Sequence, residues 1–513
     1  MNEQKEGQQI MRYLPDGEQM KKADEHTIRE IGIPSPVLME RAALQTVAVM
    51  RDRAVDLSRP LIVCGSGNNG GDGFAVARIL CEEGESPVIF FAGSEASLSR
   101  ECRLQMEIVR NMGINIRTEI PEGEYTVIVD ALFGVGLSRE ISGRYREVIE
   151  WMNVQKCRKV SVDIPSGVCA RTGRALGTAF HADLTVSMAC VKAGCEWFPG
   201  KNYAGETVAV PIGIDAAYFA DDPDVCVAYD PDDLSRLLPE RKPDSHKGSY
   251  GRVLMITGSS GMAGAAYLSA RAAYSVGAGL VQIYTHEDNR MALQQLLPEA
   301  IISCYADYDE ERLKELLDWA DVVCIGCGLG LTDTAERILA YTLRYEGRGC
   351  IVDADGLNLL SRHMELFEDV KMPLILTPHM KEMSRLTGRS VGDIKEQRMD
   401  ILKEYADRYP AVWVLKDSRT AVYRQGRHPV VSLAGNSAMA KGGSGDVLAG
   451  VITGLLAQGM TDYESAALGV YLHACGGDAA RKEKGSYSVL ARDLIRGIET
   501  VIKSAEEKEY ERA

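Results

Sequence analysis

Twice along this chain a short apolar run ends in a glycine-rich loop and then a helical pattern: "PLIVCGSGNNGGDG" from Pro60 and "GRVLMITGSSGMAGA" from Gly251. An unbroken apolar strand is buried on both faces, which a sheet achieves when helices cover it on either side. Each start is followed by more of the same. After the first come the helix "FAVARILCEEG", the strand "PVIFFAG", a helix near Glu101 to Met112, and strands at "YTVIVDALFGVG", "KVSVDIPSG" and "LTVSMACVKAG". After the second come a long helix to Gly277 and strands at "LVQIYT", "DVVCIGCGLG", "GCIVDADGLN", "PLILTPHMKEM" and "AVWVLKDSRTAVY". The alternation predicts α/β folds with doubly wound, mostly parallel sheets, and ligands at the carboxyl ends of the strands.

Between the two series, "DAAYFADDPDVCVAYDPDDLSRLLPERKPDSHKGSYG" is rich in Asp, Pro and turn residues. It predicts a boundary that gives domains 1–220 and 221–513, in keeping with a chain of 513 residues. The two glycine motifs differ in spacing and order, so no internal duplication is read. Upstream, "PDGEQMKKADEHTIREIGI" and "SPVLMERAALQTVAVMRDRAV" predict two helices. A formal charge of -15 excludes a broad basic surface for nucleic acid. The first residues lack a basic flank with an apolar core, and no apolar run reaches membrane-spanning length, so the expectation is a cytoplasmic protein without a membrane partner. The 13 cysteines are scattered. The pair Cys324 and Cys327 has no second pair to complete a zinc site, so a structural role is expected.

In the first half, Gly65 to Gly70 matches GxGxxG after a strand, which admits a dinucleotide-binding reading. The following "NNGGDG" adds amides and a carboxylate where such a loop offers mainly glycine. Three strand-end motifs point to one face: Asn68 to Asp72, Asp130 in "VDALFGVG", and Asp163 to Gly167 in "DIPSG". Their oxygens suit a hard cation, and a carboxylate in a partly dry pocket suits proton transfer. Each Asp alone is equally a turn or cap residue. "GSGNNGGDG", "VDALFGVGL", "DIPSGV" and "VKAGC", in that order, resemble the YjeF N-terminal family, the NAD(P)H-hydrate epimerases. The resemblance implies interconversion of the R and S forms of NADH and NADPH hydrated at ring carbon 6. By motif, Asn68, Asn69, Gly70, Gly71 and Asp72, with Gly134, Val135, Gly136, Leu137, Ser138, Arg139 and Glu140, would line the ligand. Asp163 would be the base, and Asn69, Asp130 and Ser166 would hold K+.

In the second half, "AKGGSGDVLAG" places Asp446 at the mouth of a glycine loop and helix N-terminus suited to an anion. A phosphoryl transfer to a hydroxyl resolves the conflict: the amides of Gly442, Gly443, Ser444 and Gly445 hold transferring charge while Asp446 takes the hydroxyl proton. The plain alternative is a turn whose Asp caps the helix. "NSAMAKGGSGDVLAG", with "TGSSGMAGA", "GCGLG", "DADGLN" and "TPH", resembles the ADP- or ATP-dependent NAD(P)H-hydrate dehydratases of the ribokinase-like superfamily, over Tyr229 to Lys503. That resemblance implies that ADP phosphorylates the hydrate, with Mg2+ bridging phosphate oxygens, and that elimination restores the reduced coenzyme. Ala265, Gly328, Gly330, His379 and Asp446 would contact the hydrate. Lys416, Asp417, Ser418, Arg419 and Thr420, with Gly442 to Gly445, would hold the nucleotide. Met380 and Lys381 stand where the family usually has Pro-Gly, and "KDSRT" replaces its more frequent KGAGT. His26, His181, His246 and His473 fall in no metal-ligand pattern.

Together the two resemblances imply a bifunctional enzyme, homo-oligomeric, acting on NAD(P)H-hydrate with ADP. Two other readings stay open at this point: a ribokinase-like kinase for a vitamin precursor, and a binding scaffold whose first half is non-catalytic.

Overall fold

The computed structural model describes residues 11–512, with side chains as far as residue 507. The chain separates into two compact units between Cys226 and Val227.

The sheet of the first unit is built from β1 (Pro60–Cys64), β2 (Val88–Phe91), β3 (Ile116–Arg117), β4 (Val127–Ala131), β5 (Arg158–Val162), β6 (Leu184–Met188) and β7 (Glu206–Val210). The strands lie in the order β3-β2-β1-β4-β5-β6-β7, every neighbour parallel. Order reverses between β1 and β4, so the loops leaving their carboxyl ends part and open a crevice. Both faces are covered. Ile62 and Cys64 of β1 join Phe74, Met50 and Val129 in one core, while Leu61 and Val63 join Phe90, Ile128 and Met152 in the other. That two-sided burial is why the strand reads as a continuous apolar run.

The helix after β1 begins earlier than its apolar pattern suggests. It spans Asn68–Glu82, so "NNGGDG" forms its first turns rather than a preceding loop. The glycines allow this by close approach. A Cβ on Gly70 would stand 2.0 Å from the Gly65 carbonyl oxygen, and one on Gly73 2.6 Å from the Ala131 Cβ. Helices Gly17–His26 and Ser35–Asp52 match the two expected upstream.

In the second unit the strands are β8 (Arg252–Ile256), β9 (Leu280–His286), β10 (Ile301–Tyr305), β11 (Val322–Ile325), β12 (Cys350–Val352), β13 (Leu374–Leu376), β14 (Val412–Leu415), β15 (Ala421–Tyr423) and β16 (Val430–Val431). They are ordered β16-β15-β14-β13-β12-β11-β8-β9-β10. From β14 to β10 the pairing is parallel, and β14–β15 and β15–β16 are antiparallel. Again the order reverses, here between β8 and β11. Helix Ser444–Ala457, which carries the Asp446 motif, lies against helix Ala263–Ser275 at glycine contacts: a Cβ on Gly450 would stand 2.1 Å from the Ser269 carbonyl oxygen. Among the described residues, no helix is long and apolar enough to cross a membrane.

Candidate functional sites

In the first unit a cavity of about 650 Å³ opens at the crevice between β1 and β4. Asn68, Asn69 and Asp72 reach it from the helix after β1, Gly134 to Arg139 from the loop after β4, and Asp163 from the end of β5. Gly70 and Gly71 are not in its wall. They face the packed side of the helix, where a Cβ on Gly71 would meet the Met39 side chain at 2.7 Å. Glu140 is exposed and lies outside the cavity wall.

Asp163 adopts φ 69°, in the left-handed region that a non-glycine residue rarely occupies. Its carboxylate accepts bonds from the Lys192 ammonium and from the Met188 N–H at 3.1 Å. Lys192 is only 1% exposed and also donates to the Met188 carbonyl at 2.8 Å. Sequence reasoning quoted this lysine inside "VKAGC" without giving it a task. Deeper in, Asp130 is fully buried and accepts from the Ser166 hydroxyl at 2.6 Å, the Ser166 N–H at 2.8 Å, the Leu132 N–H at 3.2 Å and the Ser161 hydroxyl at 3.3 Å. Burial pushes Asp130 up to about 6, and those bonds hold it from rising further.

In the second unit Asp446 sits in the first turn of its helix, after Gly443 at φ 91°. Burial, and then the negative charge of Asp353, raise it to about 6, while the Cys327 thiol and the Lys416 ammonium act in the opposite direction. Asp353 is buried and accepts from Lys416 Nζ at 2.6 Å and the Thr377 hydroxyl at 2.7 Å. A Cβ on Gly445 would stand 3.4 Å from Lys416 Nζ, which places that ammonium beside the glycine loop. Among the described residues, neither the Gly445 nor the Asp446 N–H has an acceptor. Two amide donors, one ammonium and one carboxylate of raised proton affinity therefore share a small space.

Ala265 and Gly328 meet at the same reversal point, where a Cβ on Gly328 would stand 2.9 Å from the Ala265 Cβ. The Gly330 N–H donates to Asp355 at 2.8 Å. His379 bridges to Lys416 and caps helix Met380–Thr387, its Nδ1 accepting the Lys381 and Glu382 N–H groups at 3.1 Å. Met380 and Lys381 thus open a helix. Glu382 is buried, raised to about 7 chiefly by burial, and stands 3.9 Å from Lys416 Nζ. Besides Lys416, three residues of "KDSRT" are engaged by the protein itself: Asp417 pairs with Arg398 at 2.9 Å, Arg419 donates to the Leu433 carbonyl at 2.6 Å, and the Thr420 hydroxyl donates to the Asp417 carbonyl at 3.2 Å. His473 is buried against the Ser444 backbone, which burial lowers to about 4, leaving it neutral.

Two family profiles match the chain: YjeF-related protein N-terminus over residues 35–194 and NAD(P)H-hydrate dehydratase over residues 253–500. The bifunctional NAD(P)H-hydrate repair enzyme of Thermofilum pendens is 34% identical over 507 residues, covering 95% of this chain and 96% of that one. The chain belongs to the family of bifunctional NAD(P)H-hydrate repair enzymes. The Escherichia coli family member is 34% identical, with 92% of this chain and 90% of that one covered. A solved structure of the Bacillus subtilis ADP/ATP-dependent NAD(P)H-hydrate dehydratase, crystallised with ATP and Mg2+, is 29% identical at a TM-score of 0.48, covering 54% of this chain and 97% of that one.

Within this family frame, the residues that the motifs missed are Lys192, Asp353, Cys327 and Glu382. Asp353 ends β12 within "DADGLN", and a carboxylate at a strand end was the available signal. The thiol pair Cys324 and Cys327 is free and buried. Cys327 lies beside the site, its donor atom within 4.8 Å of those of Asp353 and Asp446.

Proposed function

We propose that the first unit interconverts R- and S-NAD(P)H-hydrate and that the second dehydrates the S form with ADP, yielding NAD(P)H, AMP and phosphate. The observation that carries the second activity is the placement of Asp446 at a helix N-terminus whose Gly445 and Asp446 amides are free among the described residues, with the Lys416 ammonium beside Gly445. Asp446 takes the proton from the hydrate hydroxyl, whose oxygen attacks the terminal phosphorus of ADP. The Gly445 amide and Lys416 receive the charge of the moving phosphoryl group. Phosphate is a far better leaving group than hydroxide, so its departure from the ring, with a proton from the neighbouring carbon, restores the reduced coenzyme. Ala265, Gly328 and His379 border the hydrate in this reading, and Lys416, Ser418, Thr420 and Gly442 to Gly445 border the nucleotide.

Mg2+ enters with ADP, held by its phosphate oxygens. Cys327, Asp353 and Asp446 include a thiol and a carboxylate already bound by Lys416, which is a poor cage for a hard cation. K+ fits the first unit better. Asn69 Nδ2 is buried without a partner among the described residues, and turning that amide over offers Oδ1 to a cation beside Asp130 and Ser166. K+ there would fix the loop after β4, since the Phe133 N–H already donates to Ser166 Oγ at 2.9 Å. The same reading takes the enzyme as a cytoplasmic homo-oligomer, which sedimentation of the full chain and fractionation of cells measure.

Mixed hydrated NADH epimers, ADP and Mg2+ supply the test, followed by the absorbance of reduced nicotinamide. Full recovery is expected. A halt after the S fraction, above uncatalysed epimerisation, removes the first activity. Phosphorylated hydrate that accumulates without recovered absorbance replaces the dehydratase with a simple kinase.

A further inference from the structure

The cavity of the first unit holds more carboxyl groups than one base requires: Asp24, Asp72 and Asp163 all line it, together with Lys192. They are not equivalent. Asp163 carries a buried ammonium on its carboxylate, and among the described residues Lys192 forms an ion pair with no other acid. Asp163 is further fixed by the Met188 N–H, and by its own carbonyl, which accepts the Ser187 hydroxyl at 2.6 Å. A carboxylate held that way is fixed in position, with an ammonium as its partner.

Asp72 has the opposite surroundings. It lies in the first turns of its helix between Gly71 and Gly73, both jammed against neighbouring elements, so the cavity side is left for its carboxyl. Among the described residues, that carboxyl has no hydrogen-bond partner. Burial first, and then the negative charges of Asp163 and Asp24, push Asp72 well above the usual carboxylate range, with Lys192 offsetting only in part. Lys21, Arg139 and Tyr145 also line the cavity, and the Cys64 and Cys102 thiols near Asp72 are raised first by burial, with the charge of Asp72 adding to both. Asp24 is likewise raised by burial and by Glu25, Asp163 and Glu101. One carboxyl that carries an ammonium and another in the same cavity with no partner have the contrasting surroundings of a base and an acid.

We propose that Asp72 is the general acid of epimerisation and Asp163 its general base, working on the same ring carbon. The inference rests on the epimerase reading above. Carbon 6 bears the hydroxyl and is bonded to the ring nitrogen. Asp72 gives its proton to the hydroxyl oxygen, the C–O bond breaks, and water leaves as the nitrogen lone pair forms a C=N bond. A water then adds to the other face of carbon 6, returns the electron pair to nitrogen and gives its extra proton to Asp163. The ring is unchanged except for its configuration. One proton has passed from Asp72 to Asp163, and a water in the cavity carries it back.

The full-length enzyme tests this with separate R- and S-hydrate, ADP and Mg2+. Repair of S-hydrate reports the second unit alone. Asp72→Asn is expected to slow R-hydrate turnover by about 100-fold or more, in kcat rather than KM, with S-hydrate repair within twofold of the parent. The kcat/KM for R-hydrate should fall on the alkaline side as Asp72 loses its proton, and Asp72→Asn should lose that limb. Asp24→Asn removes one charge that keeps Asp72 protonated, so the alkaline limb should move to lower pH. R-hydrate turnover by Asp72→Asn within threefold of the parent, an effect confined to KM, or an alkaline limb that Asp24→Asn leaves in place overturns the assignment. A parent enzyme that repairs S-hydrate yet never converts R-hydrate sinks the epimerase reading instead.

Discussion

A carboxyl group at a helix N-terminus ordinarily loses proton affinity, because the dipole favours its charge. Asp446 departs from that rule since burial and Asp353 outweigh the amides and Lys416. A base raised to about 6 is mostly ionised at neutral pH and binds a proton more strongly than a surface carboxylate. In the proposed reaction the ionised form is the active one. The kcat/KM for S-hydrate should therefore be flat above about pH 6 and fall about tenfold per unit below it. Lys416→Met deletes a group that lowers the Asp446 value, so the midpoint should shift upward while ADP binding weakens, as isothermal titration would read. At this scale the sequence is legible only where chemistry is written locally. Asp446 and Lys416 sit in recognisable motifs. Asp353 and Lys192 do not announce themselves, because the bonds that give them roles join residues 63 and 29 positions apart. Nothing in their neighbourhoods says that those partners will be buried together.

Elements were easier to read than their edges. Continuous apolar runs gave the strands, since each inner strand is buried on both faces, but the helix after β1 started inside the glycine motif. Glycine there marks close packing rather than a flexible loop, and pattern alone does not separate the two. The same physics governs helix Ser444–Ala457. An added methyl at Gly450 has the Ser269 carbonyl at 2.1 Å and must push one helix off the other. Gly450→Ala should destabilise the second unit by about 1–3 kcal/mol in urea denaturation, with dehydratase activity falling because Asp446 rides on that helix. In the first unit, K+ bound as proposed beside Asp130 and Ser166 would act on the loop after β4. Saturating K+ in place of a bulky organic cation should raise the melting temperature of the first unit, and Asp130→Asn should abolish the difference. The readout is thermal rather than catalytic, so it separates the cation site from the acid and base.

Each unit has its own reversal of strand order and its own site, and every residue assigned to a site belongs to the unit that holds it. The boundary was visible as an Asp- and Pro-rich stretch. Which strand edges end the second sheet was not, because antiparallel additions such as β15 and β16 follow no helix and break the alternation. The independence of the sites has a kinetic consequence. If each is complete within its unit, S-hydrate released by one molecule serves another. On the proposed assignments Asp163→Asn should block the first step and Asp446→Asn the second, and either variant alone should leave part of a mixed hydrate sample unrepaired. Combined in one solution they should restore full recovery of reduced nicotinamide, at a rate that rises with the concentration of both and exceeds uncatalysed epimerisation. Failure to complement, with each variant still performing its intact half-reaction, would mean that the hydrate passes between sites without release. Such a route would require groups outside both sites to guide it.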